Sequence, residues 1–210
     1  MPVHIPAVEQ KPGIWRGGQV HEIVRDPPDG DYPDGDYRLW VGSATIERSA
    51  DYSYFANAER LHILLSGDGL RLHFREPEET VVLASQEFHT FSGERPLHAE
   101  VVGAPVFAFN LIYRQGLTSG AAFVPLVSAP HHHTIHAEAG IVRTQIVYLV
   151  SGQVAVDSAG GERVMGQGDT LLWDMNGPST QHLCFQSQTA EALLLFAHVA
   201  EPSAHPTTSA

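Results

Sequence analysis

The sequence predicts an all-β protein built from two tandem antiparallel barrels. Short apolar segments separated by turn residues recur along the chain, and no segment before residue 114 shows helical periodicity. A four-residue motif near residue 64 returns near residue 149, which indicates two copies of one unit. Hydrophobic residues make up 43% of the 210 residues and charged residues only 17%, a balance typical of a folded chain.

The clearest strand pattern lies between residues 60 and 75. Leu61, Ile63 and Leu65 alternate with other side chains in the first segment, and residues 70–75 show a second alternation. Residues 66–69, Ser-Gly-Asp-Gly, supply turn chemistry, because glycine readily adopts positive φ. This stretch therefore predicts a β-hairpin.

The other strand candidates share short length, apolar character and flanking turn residues. They cover residues 38–48, 80–84, 98–103 and 106–113, and, after a Gly/Ser loop at 116–120, residues 141–150, 153–157, 170–174, 181–186 and 192–199. The prolines of the first dozen residues suit an extended arm. The Pro-Asp-Gly-Asp-Tyr sequence at 28–32 is repeated at 33–37, which predicts two successive tight turns.

Three matches at nearly one spacing define the internal repeat. Leu64-Leu-Ser-Gly67 returns as Leu149-Val-Ser-Gly152, residues 86–88 match 168–170, and residues 106–113 match 192–199. The second copy, with its later Gly-Asp-Thr-Leu-Leu, resembles the cupin barrel. The resemblance implies a bicupin of the RmlC-like jelly-roll type, with an N-terminal barrel and arm at 1–115, a degenerate C-terminal barrel at 116–200 and a disordered tail at 201–210.

Composition excludes several classes of function. The chain has 12 basic and 24 acidic residues, a net charge of −12, so unspecific nucleic-acid binding is disfavoured. Cys184 is the single cysteine, which excludes an intrachain disulfide and a thiolate metal cluster. Because neither a signal peptide nor an apolar run of membrane-spanning length is evident, we expect a cytoplasmic protein without a membrane partner.

A group of histidines near residue 131 is the first candidate for a metal site. His131 and His133, with Glu138, fit the first part of the cupin metal motif, and His136 lies nearby. Counting back from the second repeat motif, however, the glutamate position of that motif falls on Gln145. The histidines are therefore expected in a loop before the strand, and the sequence predicts neither a bound metal nor another cofactor.

The same count in the first half puts Arg60 at the glutamate position. Arg60 and His62 are two residues apart on a strand and so share a face. Asn110 is an isolated polar residue on the last strand of the repeat, and His89 follows a turn near the expected barrel mouth. A guanidinium offers a planar fork suited to a carboxylate, so these four residues form a candidate anion site.

Alternatives to an anion site stay open for the same residues and for the protein as a whole. Arg60 is also placed to pair with Glu47 or Glu59 on the surface, and Asn110 to hydrogen-bond a loop backbone. A metal-dependent cupin enzyme acting on a small organic acid, with histidines such as His89 and His98, is the runner-up function. A third alternative is a structural protein whose barrels are filled by side chains.

Several motifs in order resemble the HutD/Ves family. They are Trp15-Arg-Gly-Gly, Tyr37-Arg-Leu, Ala44-Thr-Ile-Glu-Arg48, Tyr52-Ser-Tyr-Phe, Glu59-Arg60, residues 64–72 and Phe109-Asn-Leu111. The resemblance runs from about Trp15 to Arg114 and more weakly beyond. It implies a bicupin often found with histidine-degradation genes, without an accepted catalytic activity, that binds a small acidic metabolite such as a formylated or formimino glutamate, in a regulatory role.

The resemblance also implies site residues. Trp15 and Arg16 stand at its Trp-Arg/Lys motif, Arg60 at its Asp/Glu-Arg motif and Asn110 at its Phe-Asn motif. We therefore expect a non-enzymatic protein that binds a small acidic metabolite through Arg60, His62, His89, Asn110, Trp15 and Arg16. Exposed strand edges additionally favour a homodimer.

Overall fold

A computed structural model describes residues 2–30, 37–127, 129–137, 142–176 and 179–201 of the chain. The chain divides into two compact units. The N-terminal unit comprises residues 8–115, and the C-terminal unit comprises residues 116–210 together with residues 1–7. In both units the described elements are strands, apart from a single 3₁₀ turn at Ala7–Glu9, so the predicted all-β class is confirmed.

The N-terminal unit consists of two antiparallel sheets. Its six-stranded sheet has the order β2-β3-β4-β11-β6-β9, and its four-stranded sheet has the order β5-β10-β7-β8. The strands are β2 (Lys11–Trp15), β3 (Gly18–Asp26), β4 (Leu39–Ile46), β5 (Ala50–Asp51), β6 (Ala58–Ser66), β7 (Leu70–Arg75), β8 (Glu78–Leu83), β9 (Phe88–Ser92), β10 (Leu97–Val101) and β11 (Val106–Arg114).

The C-terminal unit has the same kind of organisation. Its five-stranded sheet has the order β1-β17-β14-β19-β12, and its four-stranded sheet has the order β13-β18-β15-β16. The strands are β1 (Val3–Ile5), β12 (Thr118–Leu126), β13 (His131–Ala137), β14 (Val142–Ser151), β15 (Gln153–Ser158), β16 (Gly161–Gly166), β17 (Thr170–Asn176), β18 (Ser179–Ser187) and β19 (Ala192–Ala200).

The predicted internal repeat is visible in the strand order. In the larger sheets, β9-β6-β11-β4 of the N-terminal unit corresponds to β17-β14-β19-β12 of the C-terminal unit, and the smaller sheets correspond strand for strand. Even an irregularity repeats, since the pairing of β6 with β11 and that of β14 with β19 both shift register next to the Leu-x-Ser-Gly motif. The two motifs therefore occupy the same place in two copies of one arrangement.

The predicted hairpin is wrong, although both of its strands are present. Strand β6 pairs with β11 and β9, whereas β7 pairs with β8 and β10 in the other sheet. Gly67 (φ +123°) and Gly69 (φ +149°) lie between them. Positive φ values such as these are strained for residues other than glycine. The two glycines let the chain pass from one sheet to the other instead of folding back.

Strand β6 is buried on both faces, although an alternating pattern is typical of a strand with one buried face. Leu61 and Ile63 are at most 1% exposed, and so is Leu64 on the opposite face. Leu64 packs in a core cluster with Ala108 of the neighbouring β11 and with Ile46 of β4. Because side chains alternate along a strand, Arg60 and His62 lie on the same face as Leu64, towards this core.

Other expectations are corrected at the unit boundaries. The predicted loop at 116–120 gives way to β12, which begins at Thr118. The N-terminal arm does not stay with the first unit, because β1 pairs with β17 of the C-terminal unit. Residues 31–36, which include most of the second Pro-Asp-Gly-Asp-Tyr copy at 33–37, lie outside the described residues, and so does the predicted tail apart from residue 201. Among the described residues, the structure contains no helix long and apolar enough to span a membrane.

Candidate functional site

The polar residues of the candidate site come from β6 and β11, two adjacent inner strands of the six-stranded sheet. His62 on β6 lies directly opposite Asn110 on β11, and Arg60 lies opposite Ile112. These positions share the interior face with Leu64 and Ala108. His62 and Asn110 are almost fully buried, at 0% and 2% exposed, so their polar atoms need partners within the protein.

One oxygen atom organises the cluster. Arg60 Nε and Nη2 donate to Asn110 Oδ1 at 3.0 and 2.9 Å, and His62 Nδ1 lies 2.6 Å from the same oxygen. A guanidinium carries only donors, so the Asn110 atom facing Arg60 is its oxygen. The alternative in which Arg60 pairs with Glu47 or Glu59 at the surface does not match these contacts. The Arg60 guanidinium instead donates to the buried side-chain amide of Asn110.

This oxygen also fixes the tautomer of His62. Because Asn110 Oδ1 only accepts, His62 Nδ1 carries the proton and donates it. Nε2 is then an acceptor, and the Tyr52 hydroxyl donates to it across 3.4 Å. Both ring nitrogens are thus engaged within the protein.

Burial and charge keep the imidazole neutral. Burial, reinforced by the nearby Arg60 charge and by His89, lowers the pKa of His62 to about 3, although its hydrogen bond to Asn110 acts in the opposite direction. Burial raises the pKa of Tyr52 above its usual value. At neutral pH the cluster therefore holds one positive charge, on Arg60, beside neutral groups.

Aromatic rings surround the guanidinium. Arg60 Cζ lies 4.3 Å from the centre of the Tyr52 ring and 5.9 Å from those of Phe55 and Phe91. A cation over an aromatic face is stabilised by the ring quadrupole, more so where water is excluded. Trp15 meets Tyr52 edge to face at 5.3 Å between ring centres.

These groups line a cavity of about 240 Å³ within the N-terminal unit. Its polar wall is formed by Arg60, His62, Asn110 and Ser53, and the rest is largely apolar or aromatic. The other lining residues are Ile14, Trp15, Val20, Trp40, Ala44, Ile46, Tyr52, Phe55 and Ile112. No acidic side chain lies among the described residues of this lining.

The Trp15 indole supplies a further donor. Its Nε1 is buried and has no hydrogen-bond partner among the described residues. A buried donor without an acceptor costs roughly 1–3 kcal/mol. Since Trp15 lines the cavity, an acceptor bound there is placed to relieve this cost.

Two of the predicted site residues do not line the cavity. His89 lies opposite His62 on β9, but its ring packs against Phe74 and Phe91, with ring centres 5.9 Å from each. Arg16 is exposed in the turn between β2 and β3. The structure brings together Arg60, His62, Asn110 and Trp15, and leaves His89 behind this group and Arg16 at the surface.

Sequence reasoning missed the role of Tyr52. The residue was visible in the Tyr-Ser-Tyr-Phe motif, but it follows the two-residue strand β5 in a segment without regular alternation. Its contacts with Arg60 and His62, which follow within ten residues, cross an irregular segment that strand alternation does not describe. An aromatic motif shortly before a strand with an inward-facing arginine was the available signal.

The histidine run is placed differently from the prediction. His131–Ala137 forms strand β13 rather than a loop. His131 and His133 share a face with the buried Ile135, and the His133 ring centre lies 4.3 Å from that of Phe196 in the core of the C-terminal unit. His136 pairs instead with Thr180 through its Nδ1 at 3.2 Å, at an exposed position. Glu138 lies outside the described residues.

Histidines proposed for the alternative metal site are dispersed. His98 lies at the surface, with Nδ1 2.8 Å from the Asp51 carboxylate, and His89 packs as described above. Among the described residues, no group of three or more histidine, cysteine or acidic side chains is arranged to hold a metal ion. The expected absence of a metal stays a prediction.

Known proteins resemble this chain in sequence and in fold. A protein of Pseudomonas putida, described as an uncharacterized 21.2 kDa protein in the hutC 3' region, is 38% identical over 102 residues, 47% of this chain and 51% of that protein. The chain thus spans about half the length of the curated relative that it matches.

Two solved structures cover nearly the whole chain. A conserved protein of unknown function from Pseudomonas aeruginosa has a TM-score of 0.78 at 23% identity, covering 96% of this chain and 100% of that chain. HutD from Pseudomonas fluorescens has a TM-score of 0.68 at 23% identity, covering 94% and 98%. At this identity the likeness shows the fold, and the predicted cupin-like class is confirmed.

The family assignment rests on the sequence itself. The model of the HutD family matches residues 7–195, a range that includes the residues lining the cavity and most of both units. Because this match spans most of the chain, the protein belongs to the HutD family.

Proposed function

We propose that this protein binds a small carboxylate in the cavity of the N-terminal unit, without catalysing a reaction on it. The observation that carries the proposal is the guanidinium of Arg60, held at the cavity wall by Asn110. The Asn110 oxygen is neutral, so this contact orients the guanidinium without cancelling its charge. A carboxylate is the ligand group that matches both the charge and the planar donor pattern.

The other groups of the wall support an anion and limit its size. The Trp15 N–H is buried and lacks an acceptor among the described residues, and the aromatic rings offer apolar surface to a carbon skeleton. The volume of about 240 Å³ is below the ~300–1,000 Å³ of pockets for drug-sized ligands. A short metabolite with one buried carboxylate fits these limits.

Binding without catalysis follows from how the polar groups are used. General acid–base chemistry needs a group that gains and loses a proton near neutral pH. His62 has a pKa of about 3, and both of its ring nitrogens are engaged. The described lining offers no carboxyl group as a substitute.

The biological setting follows from the family. The Pseudomonas putida relative is described by its position in the hutC 3' region, and this agrees with the predicted role in histidine utilisation. We propose that the ligand is an acidic metabolite of that pathway and that its binding serves regulation.

Isothermal titration of the full chain tests the proposal, with acetate, L-glutamate and N-formyl-L-glutamate as probes. We expect at least one to bind saturably and Arg60→Gln to weaken it roughly 10- to 150-fold, the equivalent of a charge-assisted hydrogen bond of about 1.5–3 kcal/mol. Arg75→Gln is the matched control, because Arg75 is an exposed arginine that bonds Asp51 at 3.2 Å outside the cavity. Equal affinity in Arg60→Gln and the wild type, with both folded, contradicts the proposed function.

A further inference from the structure

The C-terminal unit contains a second arginine on an interior face. On β14, Val147 and Leu149 belong to the core cluster of this unit. Arg143 has the same parity along the strand, so it lies on the same face, beyond the buried Gln145 and nearer the start of the strand. Arg143 is therefore directed to the inside of the unit near one end of its core.

Its position is not a copy of the Arg60 position. In the larger sheet of each unit, Arg60 lies opposite Ile112 and Gln145 lies opposite His198, so Gln145 is the counterpart of Arg60. Gln145 donates to the Ala197 carbonyl at 2.9 Å. Arg143 stands two residues further along, and the sequence repeat therefore gave no signal for it.

Arg143 is partly buried, and one of its donors is unsatisfied within the described part of the chain. Its Nε is buried without a hydrogen-bond partner among the described residues. Burial lowers the pKa of Arg143 from its ordinary value, which reflects the cost of holding its charge away from water. His131 Nε2 is also buried and without a partner in the described part of the chain.

Two histidines at this end of the core have lowered pKa values. Burial, His131 and Arg143 lower the pKa of His133, and burial followed by Arg143 lowers that of His198 to about 4. On the neighbouring strand, His198 lies opposite Gln145 and is thus a diagonal neighbour of Arg143 on the same face, and the His133 ring centre lies 4.3 Å from that of Phe196, two residues before His198. Gly120 leaves room for one of them, since a Cβ there would lie 2.8 Å from His198 Cε1.

A comparison of the smaller sheets supports a binding role for His133. Tyr52, which covers Arg60 in the N-terminal unit, bonds Leu97 of β10 through its backbone N–H. His133 lies opposite Leu183 on β18, the strand that corresponds to β10. His133 thus stands where the first site has the tyrosine that stacks on its arginine.

We propose that the C-terminal unit holds a second site, for a small oxyanion, in which Arg143 binds the anion and His131, His133 and His198 supply N–H donors. A metal ion does not suit this place, because the guanidinium repels cations. Imidazole N–H groups beside a guanidinium instead match a carboxylate or a phosphate, whose oxygens accept from both. The proposal does not depend on ligand binding in the N-terminal unit.

The test uses the full chain with Arg60→Gln, which removes the first anion clamp and leaves the second unit unchanged. Sodium acetate and inorganic phosphate are titrated separately into ¹⁵N-labelled protein, and the Nε–H signal of Arg143 and the ring signals of His198 are followed. We expect a saturable shift with at least one probe, and the two titrations separate a carboxylate site from a phosphate site. The double variant Arg60→Gln/Arg143→Gln should lose the His198 shift.

Two further measurements keep the test decisive. Arg143→Lys, on the same Arg60→Gln background, retains the charge but not the planar fork, and we expect at least five-fold weaker binding. A shift that never saturates, or one that is unchanged when Arg143 is replaced in a folded protein, overturns the proposal. Arg143→Gln alone should leave carboxylate affinity at the first site unchanged, so failure of this proposal is distinguishable from failure of the proposed function.

Discussion

The burial of neutral His62 makes the N-terminal unit sensitive to mild acid. The ordinary pKa of histidine is about 6.5, and in the folded protein that of His62 is about 3. Between these values the unfolded chain binds a proton that the folded chain does not, so the free energy of unfolding falls as the pH falls. From about pH 7 to pH 5 this linkage amounts to about 2 kcal/mol for one histidine.

The comparison that isolates this contribution is His62→Asn, which keeps a short amide donor near Asn110 and does not titrate. Urea denaturation is followed at both pH values by tryptophan fluorescence, with Trp173→Phe in both proteins so that Trp15 and Trp40 report on the N-terminal unit. We expect the protein with His62 to lose about 2 kcal/mol more than His62→Asn on acidification. Equal losses in the two proteins contradict the reasoning, because all other titrating groups are common to both.

Three further predictions concern the cavity and the strand crossing. Asn110→Asp places a carboxylate against Arg60, so carboxylate affinity measured by titration calorimetry should fall at least ten-fold while the protein stays folded; unchanged affinity is the contrary result. Trp15→Phe removes the indole donor and should weaken the same probe roughly ten-fold, with the melting temperature as the check on folding. Gly67→Ala should lower the free energy of unfolding by about 2–4 kcal/mol, because the φ is +123° and the new Cβ meets Val106 Cγ1 at 2.5 Å. Gly116→Ala, also at positive φ but with nothing within 4 Å, is its control and should cost about 1 kcal/mol; equal losses mean that the contact with Val106 is not limiting.

Strand positions followed from local pattern, whereas pairing did not. The alternation in residues 60–66 and 70–75 located β6 and β7 within two residues. The turn between them carried the glycines of a hairpin, but the same residues also serve a crossing between sheets. What decides between the two is long-range pairing with β11 and β10, which no local pattern contains.

The candidate site was partly predictable for the same reason. Arg60 and His62 share a face by the two-residue period of a strand, and Asn110 stood out as a polar residue among apolar ones. The prediction that Arg16 belongs to the site was wrong, because the chain turns directly after Trp15 and leaves the Arg16 side chain exposed. Strand β13 was predicted as a loop because two of its inward side chains, His131 and His133, are polar. In the sequence alone, a run of histidines is more typical of a solvated loop than of a buried strand face.

The first strand of the chain has a consequence for how the protein is made. Strand β1 pairs with β17, and the Ala7 backbone N–H donates to Asp169 Oδ1 at 2.8 Å. During synthesis, Val3–Ile5 therefore leaves the ribosome about 170 residues before its partner strand does. A fragment that begins at residue 116 exposes the edge of β17, an edge prone to join with other strands. To produce the C-terminal unit alone, residues 1–7 must therefore be linked to residues 116–210, as in a circularly permuted chain.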